Sequence, residues 1–158
     1  MIVCDTSGLL AAYDRASSQQ EAAAAALAGD PGPWLLPPLV LAEFAYLLLE
    51  RFGLAGERKV LPELVTGRFV VGELTDADLE AAIAVTARYG DLKIGLTDAS
   101  IAVLAARHRT TRLLTLDERH FRAVTPLDGQ DAFTLLPADS AGEPPGRAWD
   151  TGGEVKRG

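Results

Sequence analysis

The stretch Met1-Ile2-Val3-Cys4-Asp5-Thr6-Ser7-Gly8 sets the reading of the whole chain. Ile2, Val3 and Cys4 form an apolar run with no polar relief, which predicts a short strand buried on both faces, as inside a parallel sheet covered by helices. Asp5 ends that run, and a helix is expected directly after it. Ligands of open α/β sheets bind off the carboxyl edge, so a carboxylate placed there is a candidate cation ligand. Asp is also a good N-cap, and this stretch alone leaves both roles open.

At 158 residues, 48% hydrophobic and 23% charged, the chain suits one soluble domain with a sizeable core. The single cysteine, Cys4, lies within the proposed strand, so it is expected to pack as a small hydrophobe in a reducing compartment. No basic segment followed by an apolar one opens the chain, and its longest apolar stretch, Trp34 to Leu49, is interrupted by Pro37, Pro38 and Glu43. Neither secretion nor membrane insertion is expected, and the expected location is cytoplasmic. A net charge of −7 argues against general field-driven binding of nucleic acid. Arg107, Arg109, Arg112, Arg119, Arg122, His108 and His120 nevertheless form a basic region, either a binding feature or a solvated helix end.

Strand and helix signals alternate along the chain. Helices are expected over 7–14 and from a capped start at Ser17-Ser18-Gln19-Gln20-Glu21 through the alanine run, then a break at Gly29–Pro33, a strand at Trp34–Leu36, and a helix from about 39 to 52. A second helix over 53–66, a strand at 68–71 and a helix from Thr75 through Arg88 follow. After a loop, Thr97-Asp98 opens a helix, residues 112–116 form a strand, 118–121 a short helix, and 132–136 an edge strand ended by Pro137. This order predicts an α/β three-layer sandwich with a mostly parallel central sheet flanked by helices. The domain is expected to span residues 1–137. Residues 138–158, rich in Gly, Pro and charge with Trp149 as a possible anchor, are expected to be a flexible C-terminal tail.

Four acids stand out in that frame. Leu39 to Leu49 carries one charge, Glu43, in a helix apolar enough to be buried, where a lone carboxylate is costly unless paired or metal-bound. A narrow solvent stripe shared with Glu50 is the alternative. Asp98 at a helix start and Asp117 at a strand end could both be caps, yet with Asp5 and Glu43 they could point at one sheet edge. Four converging acids without a basic partner would repel, which a hard divalent cation relieves.

Asp5-Thr6-Ser7 after a strand, Glu43 in an apolar helix, Gly95-Leu96-Thr97-Asp98-Ala99-Ser100-Ile101, and Thr115-Leu116-Asp117-Glu118-Arg119-His120-Phe121 together resemble the PIN-domain ribonucleases. The likeness is nearest to VapC-type toxins of bacterial toxin–antitoxin pairs and covers about residues 1–137. It implies a PIN-like fold, Mg²⁺ or Mn²⁺ at Asp5, Glu43, Asp98 and Asp117, and cleavage of single-stranded or loop RNA. It also implies Thr6 beside those acids and a small antitoxin as partner; Thr115 and Arg119, the latter two residues after Asp117 in the basic region, are further candidate substrate contacts, and surplus apolar helix surface is expected to serve the antitoxin or a homodimer. Lys93 stands where relatives often have proline.

Other classes fit less well. A receiver-like, Mg²⁺-binding phospho-acceptor domain needs an adjacent acidic pair after the first strand and a lysine after the last; here Cys4 precedes Asp5, and Leu136-Pro137 closes the last strand. A haloacid-dehalogenase-type phosphatase wants a second Asp where Ser7 stands. A catalytically silent PIN-like module for binding RNA or protein would be favoured had one of the four acids been missing.

Overall fold

The computed structural model describes residues 1–140, so most of the expected tail, Trp149 included, lies outside the described residues. Five short strands, β1 (Ile2–Cys4), β2 (Trp34–Leu36), β3 (Phe69–Val71), β4 (Arg112–Leu114) and β5 (Thr134–Leu136), form one sheet in the order β3-β2-β1-β4-β5. Every neighbouring pair is parallel, with Val3 opposite Leu35 on one side and Leu113 on the other. β1 and β2 are buried at every residue, which is why their sequences are uninterruptedly apolar. The chain builds outward through β2 and β3, then crosses to the other side of β1 for β4 and β5. The carboxyl ends of β1 and β4 therefore flank the point where strand order reverses, the place where open α/β sheets bind ligands.

Helices α1 (Thr6–Tyr13), α2 (Gln20–Ala28), α3 (Pro38–Val60), α4 (Asp76–Arg88), α5 (Leu96–Arg107) and α6 (Glu118–Ala123) complete the sandwich, α1 packing on α2 and α3, and α4 on α5. α5 buries Ala99 through Ala105 without interruption. α1 lies very close to the sheet: a β-carbon on Gly8 would stand 2.5 Å from the carbonyl oxygen of Leu114, so only glycine fits there. Gly53, at φ 64°, breaks α3 where two helices were expected, so one helical stretch runs through a kink. No helix among the described residues is long and apolar enough to cross a membrane.

Several expectations are refined. α5 starts at Leu96, two residues ahead of Asp98, because extended Gly95 precedes the helix and leaves Asp98 as its third residue. The apolar first half of α3 is only half buried: Val40, Phe44 and Leu48 face the core, whereas Tyr46 and Leu49 are exposed. The basic region is largely neutralised. Arg107 meets Asp78 at 2.7 Å, Arg112 pairs with buried Asp30, and Arg122 binds both carboxylate oxygens of Asp139 in the turn after β5.

Candidate active site

Asp5 follows β1 directly and is 95% buried, yet its carboxylate is richly supplied with donors. Oδ1 accepts from Thr6 N at 2.7 Å; Oδ2 accepts from the hydroxyls of Ser7 at 2.6 Å and Thr115 at 2.7 Å. Burial pushes this carboxyl above the ordinary range, and those donors oppose the rise. The same hydroxyls bind the chain after β4: Ser7 Oγ accepts from Leu116 N at 2.9 Å, and Thr115 Oγ1 accepts from Asp117 N at 2.9 Å. Two short side chains thus lock the carboxyl ends of the central strands together. Thr115, expected beside the substrate, has no exposed surface and is spent on this network. Ser7 carries as much of it, and its two-residue offset from Asp5 was the available signal.

Glu43 projects from the second turn of α3 and is exposed, accepting a 2.6 Å hydrogen bond from Thr6 Oγ1. Thr6 therefore serves two acids, Asp5 through its backbone and Glu43 through its side chain. Asp98 is half-buried in the first turn of α5, held loosely by Gly95 N at 3.4 Å. Burial and then the neighbouring charge of Asp5 push its carboxyl up, with Asp117 adding to the rise. Asp117 precedes α6 and caps it, accepting from His120 N at 3.0 Å. The imidazole of His120 reaches the same place: Nδ1 lies 2.8 Å from Asp117 Oδ2 and 3.2 Å from Asp98 Oδ2. Neither contact has the direction of a hydrogen bond. In the sequence His120 was visible in the basic region and in the Thr115–Phe121 motif, but not as a neighbour of Asp98.

All four acids open into one cleft of about 350 Å³ between α1, α3 and the carboxyl edge of the sheet. Leu10, Ala11, Asp14 and Ser17 line one wall; Leu47 and Arg51, following Glu43 on α3, line the other. Arg119, exposed on α6, is not among the lining residues; the cation in the cleft is Arg51. Cys4, next to Asp5, plays no nucleophilic part, since burial pushes its thiol far up and keeps it protonated.

Residues 2–125 match the PIN domain family. The chain belongs to the PIN-domain family. Within it, the chain is 38% identical over 136 residues to Ribonuclease VapC26 of Mycobacterium tuberculosis (strain ATCC 25618 / H37Rv), covering 86% of this chain and all of that protein, which places it with the VapC-type members. The fold is also similar to the crystal structure of the Mycobacterium tuberculosis VapC20 toxin, described as cleaving the sarcin-ricin loop, with a TM-score of 0.69 and 19% identity over 75% of this chain and 91% of the other. At that identity the likeness concerns the fold.

The donor set of this PIN domain suits a hard divalent cation. The four groups are carboxylates, and Asp98 carries the repulsion of two like charges that a cation would relieve. Among the described residues no three His, Cys, Asp or Glu side chains are drawn into a ready-made set of direct ligands. Asp5, Glu43 and Asp117 are each already held by protein donors, Thr6, Ser7, Thr115 and the first turn of α6. Mg²⁺ does not need such a set, because it keeps several waters and binds through one or two carboxylates.

Proposed function

We propose that this PIN domain is a Mg²⁺- or Mn²⁺-dependent endoribonuclease that cleaves single-stranded or loop RNA as the toxin of a toxin–antitoxin pair. The observation that carries this reading is the convergence of Asp5, Glu43, Asp98 and Asp117 on one cleft at the strand-order reversal. The ribonuclease named in the 38%-identical relative and the toxin named in the structural relative support it.

Asp5, Glu43, Asp98 and Asp117 would hold the ion, which when bound supplies Lewis-acid stabilisation of charge on the phosphodiester and a water of lowered pKa. Asp5 is the fixed ligand, because three donors and burial leave it a single orientation. Thr6 keeps Glu43 turned toward Asp5, and Thr115 acts on the substrate through Asp5. His120 holds Asp98 and Asp117 side by side. Arg119, exposed beside the cleft on α6, would meet a phosphate there.

A small antitoxin would lay an apolar helix over Tyr46, Leu49 and Leu54 on α3, which are exposed large hydrophobics; a homodimer would use remaining apolar surface. The protein would act in the cytoplasm. Incubation of the purified protein with a structured RNA in Mg²⁺, with and without EDTA, tests the enzymology. Cleavage only in Mg²⁺ is expected, and cleavage that persists in EDTA overturns the metal-dependent reading.

A further inference from the structure

The cleft has a direction that the four acids do not explain. Glu43, Leu47 and Arg51 recur every four residues on α3 and all line it, so they form one stripe along its wall. At about 1.5 Å per residue, the stripe carries Arg51 roughly 12 Å along the helix from Glu43. That is beyond the reach of the phosphate being cut and within reach of one flanking it. Asp14 and Ser17, just past α1, lie on the opposite wall.

Charge makes Arg51 decisive. The cleft is lined by Asp5, Asp14, Glu43, Asp98 and Asp117, and Arg51 is the single cation among its lining residues. A polyanion entering such a trough meets repulsion everywhere except at a bound cation and at Arg51. Arg107, Arg112 and Arg122 are tied to carboxylates, whereas Arg51 makes no ion pair among the described residues. The kink at Gly53 ends the first half of α3 just beyond Arg51. That helix end itself favours a positive side chain, so a purely structural role predicts a stability effect and no effect on RNA.

Building on the ribonuclease reading above, we propose that the α1–α3 groove is the track of the RNA strand leaving the acids, and that Arg51 binds a backbone phosphate flanking the scissile one. Arg51 is a substrate-positioning residue: it fixes the register in which the strand passes Asp5 and Glu43, without touching the reacting atoms.

Fluorescence anisotropy with a labelled, mixed-sequence oligoribonucleotide of about 16 nucleotides, in Mg²⁺ across a salt series, provides the test. Arg51→Ala should weaken binding roughly tenfold and flatten the log–log salt slope by about 0.7, the share of one single-strand phosphate contact. Arg51→Lys should restore the slope, and all variants should melt with the wild type. Arg58→Ala, on the exposed far part of α3, should bind as the wild type does. An Arg51→Ala protein with wild-type affinity and slope, or an Arg58→Ala protein equally impaired, overturns the groove assignment and leaves the nuclease intact. A wild type that binds no RNA in Mg²⁺ overturns the ribonuclease reading and the groove with it.

Discussion

Thr115 Oγ1 donates a 2.7 Å hydrogen bond to Asp5 Oδ2 across the boundary between β1 and β4, and both residues are buried. A carboxyl in that position is pushed up by burial, and its hydrogen-bond donors, Thr115 among them, oppose the rise. Thr115→Val keeps the shape and removes one donor. It is expected to cost about 1–3 kcal/mol at neutral pH. The sign follows from linkage. Asp5 already has a raised native pKa, so its ionisation lowers stability as pH rises above the unfolded value of about 3.9, and losing a donor steepens that fall. Wild type and variant should therefore converge as pH drops toward 4. Urea unfolding at several pH values checks this; a gap that stays constant down to acid pH would show that Thr115 stabilises by packing alone.

Gly8 sets how closely α1 approaches β4. With a β-carbon only 2.5 Å from Leu114 O, a backbone atom that cannot rotate away, Gly8→Ala must push the helix off the sheet. The expected loss is about 1–3 kcal/mol or more. Because Asp5 precedes α1 and Asp117 follows β4, RNA cleavage should fall along with thermal stability. A variant that melts like the wild type would mean the helix shifts freely, and the close approach would then have no part in placing the acids.

The exposed face of α3 offers a third test. Tyr46 is 62% and Leu49 46% exposed, so replacing both with Glu removes little core packing. Tyr46→Glu with Leu49→Glu should leave melting within a few degrees and cleavage intact, while abolishing co-purification with a co-expressed antitoxin. Undisturbed co-purification would move the partner to another surface.

The parallel sheet was legible because β1 and β2 are short, wholly buried and unmistakably apolar, because β4 carries two buried leucines after Arg112, and because each is punctuated by an acid, a proline or a helix cap. The four acids were legible for the same reason: strand ends and an apolar helix make a carboxylate conspicuous. Less was visible where side-chain direction matters. Eleven residues of α3 with one charge suggested burial all round, yet a helix presents Tyr46 and Leu49 opposite Phe44 and Leu48 whatever their polarity. The basic region left a binding feature and a solvated helix end both open, and Arg107, Arg112 and Arg122 instead find acids distant in sequence, Asp78, Asp30 and Asp139. Arg51 looked ordinary, since only the closed fold turns it toward the acids.

Asp98 allows the metal reading and the capping reading to be separated by stability instead of activity. It stands third in α5 with only a 3.4 Å contact to Gly95 N, so its capping contribution is small and Asn would supply much of it. Its carboxyl is raised first by burial and then by the charge of Asp5, while His120 pulls weakly the other way. An acid whose native pKa lies above its unfolded one contributes most below the unfolded value, and stability falls as pH rises toward the native value. In EDTA at neutral pH, then, ionised Asp98 is a burden, and Asp98→Asn should melt higher than the wild type, with the gap closing near pH 4. Mg²⁺ binds the folded state and should raise the wild-type melting temperature by mass action, with a smaller rise in the variant that has lost a ligand. The order of the two proteins should thus narrow or invert when EDTA is exchanged for millimolar Mg²⁺. Four melting curves decide it: two proteins that melt alike in both buffers would return Asp98 to the helix end and leave the ion with three carboxylates.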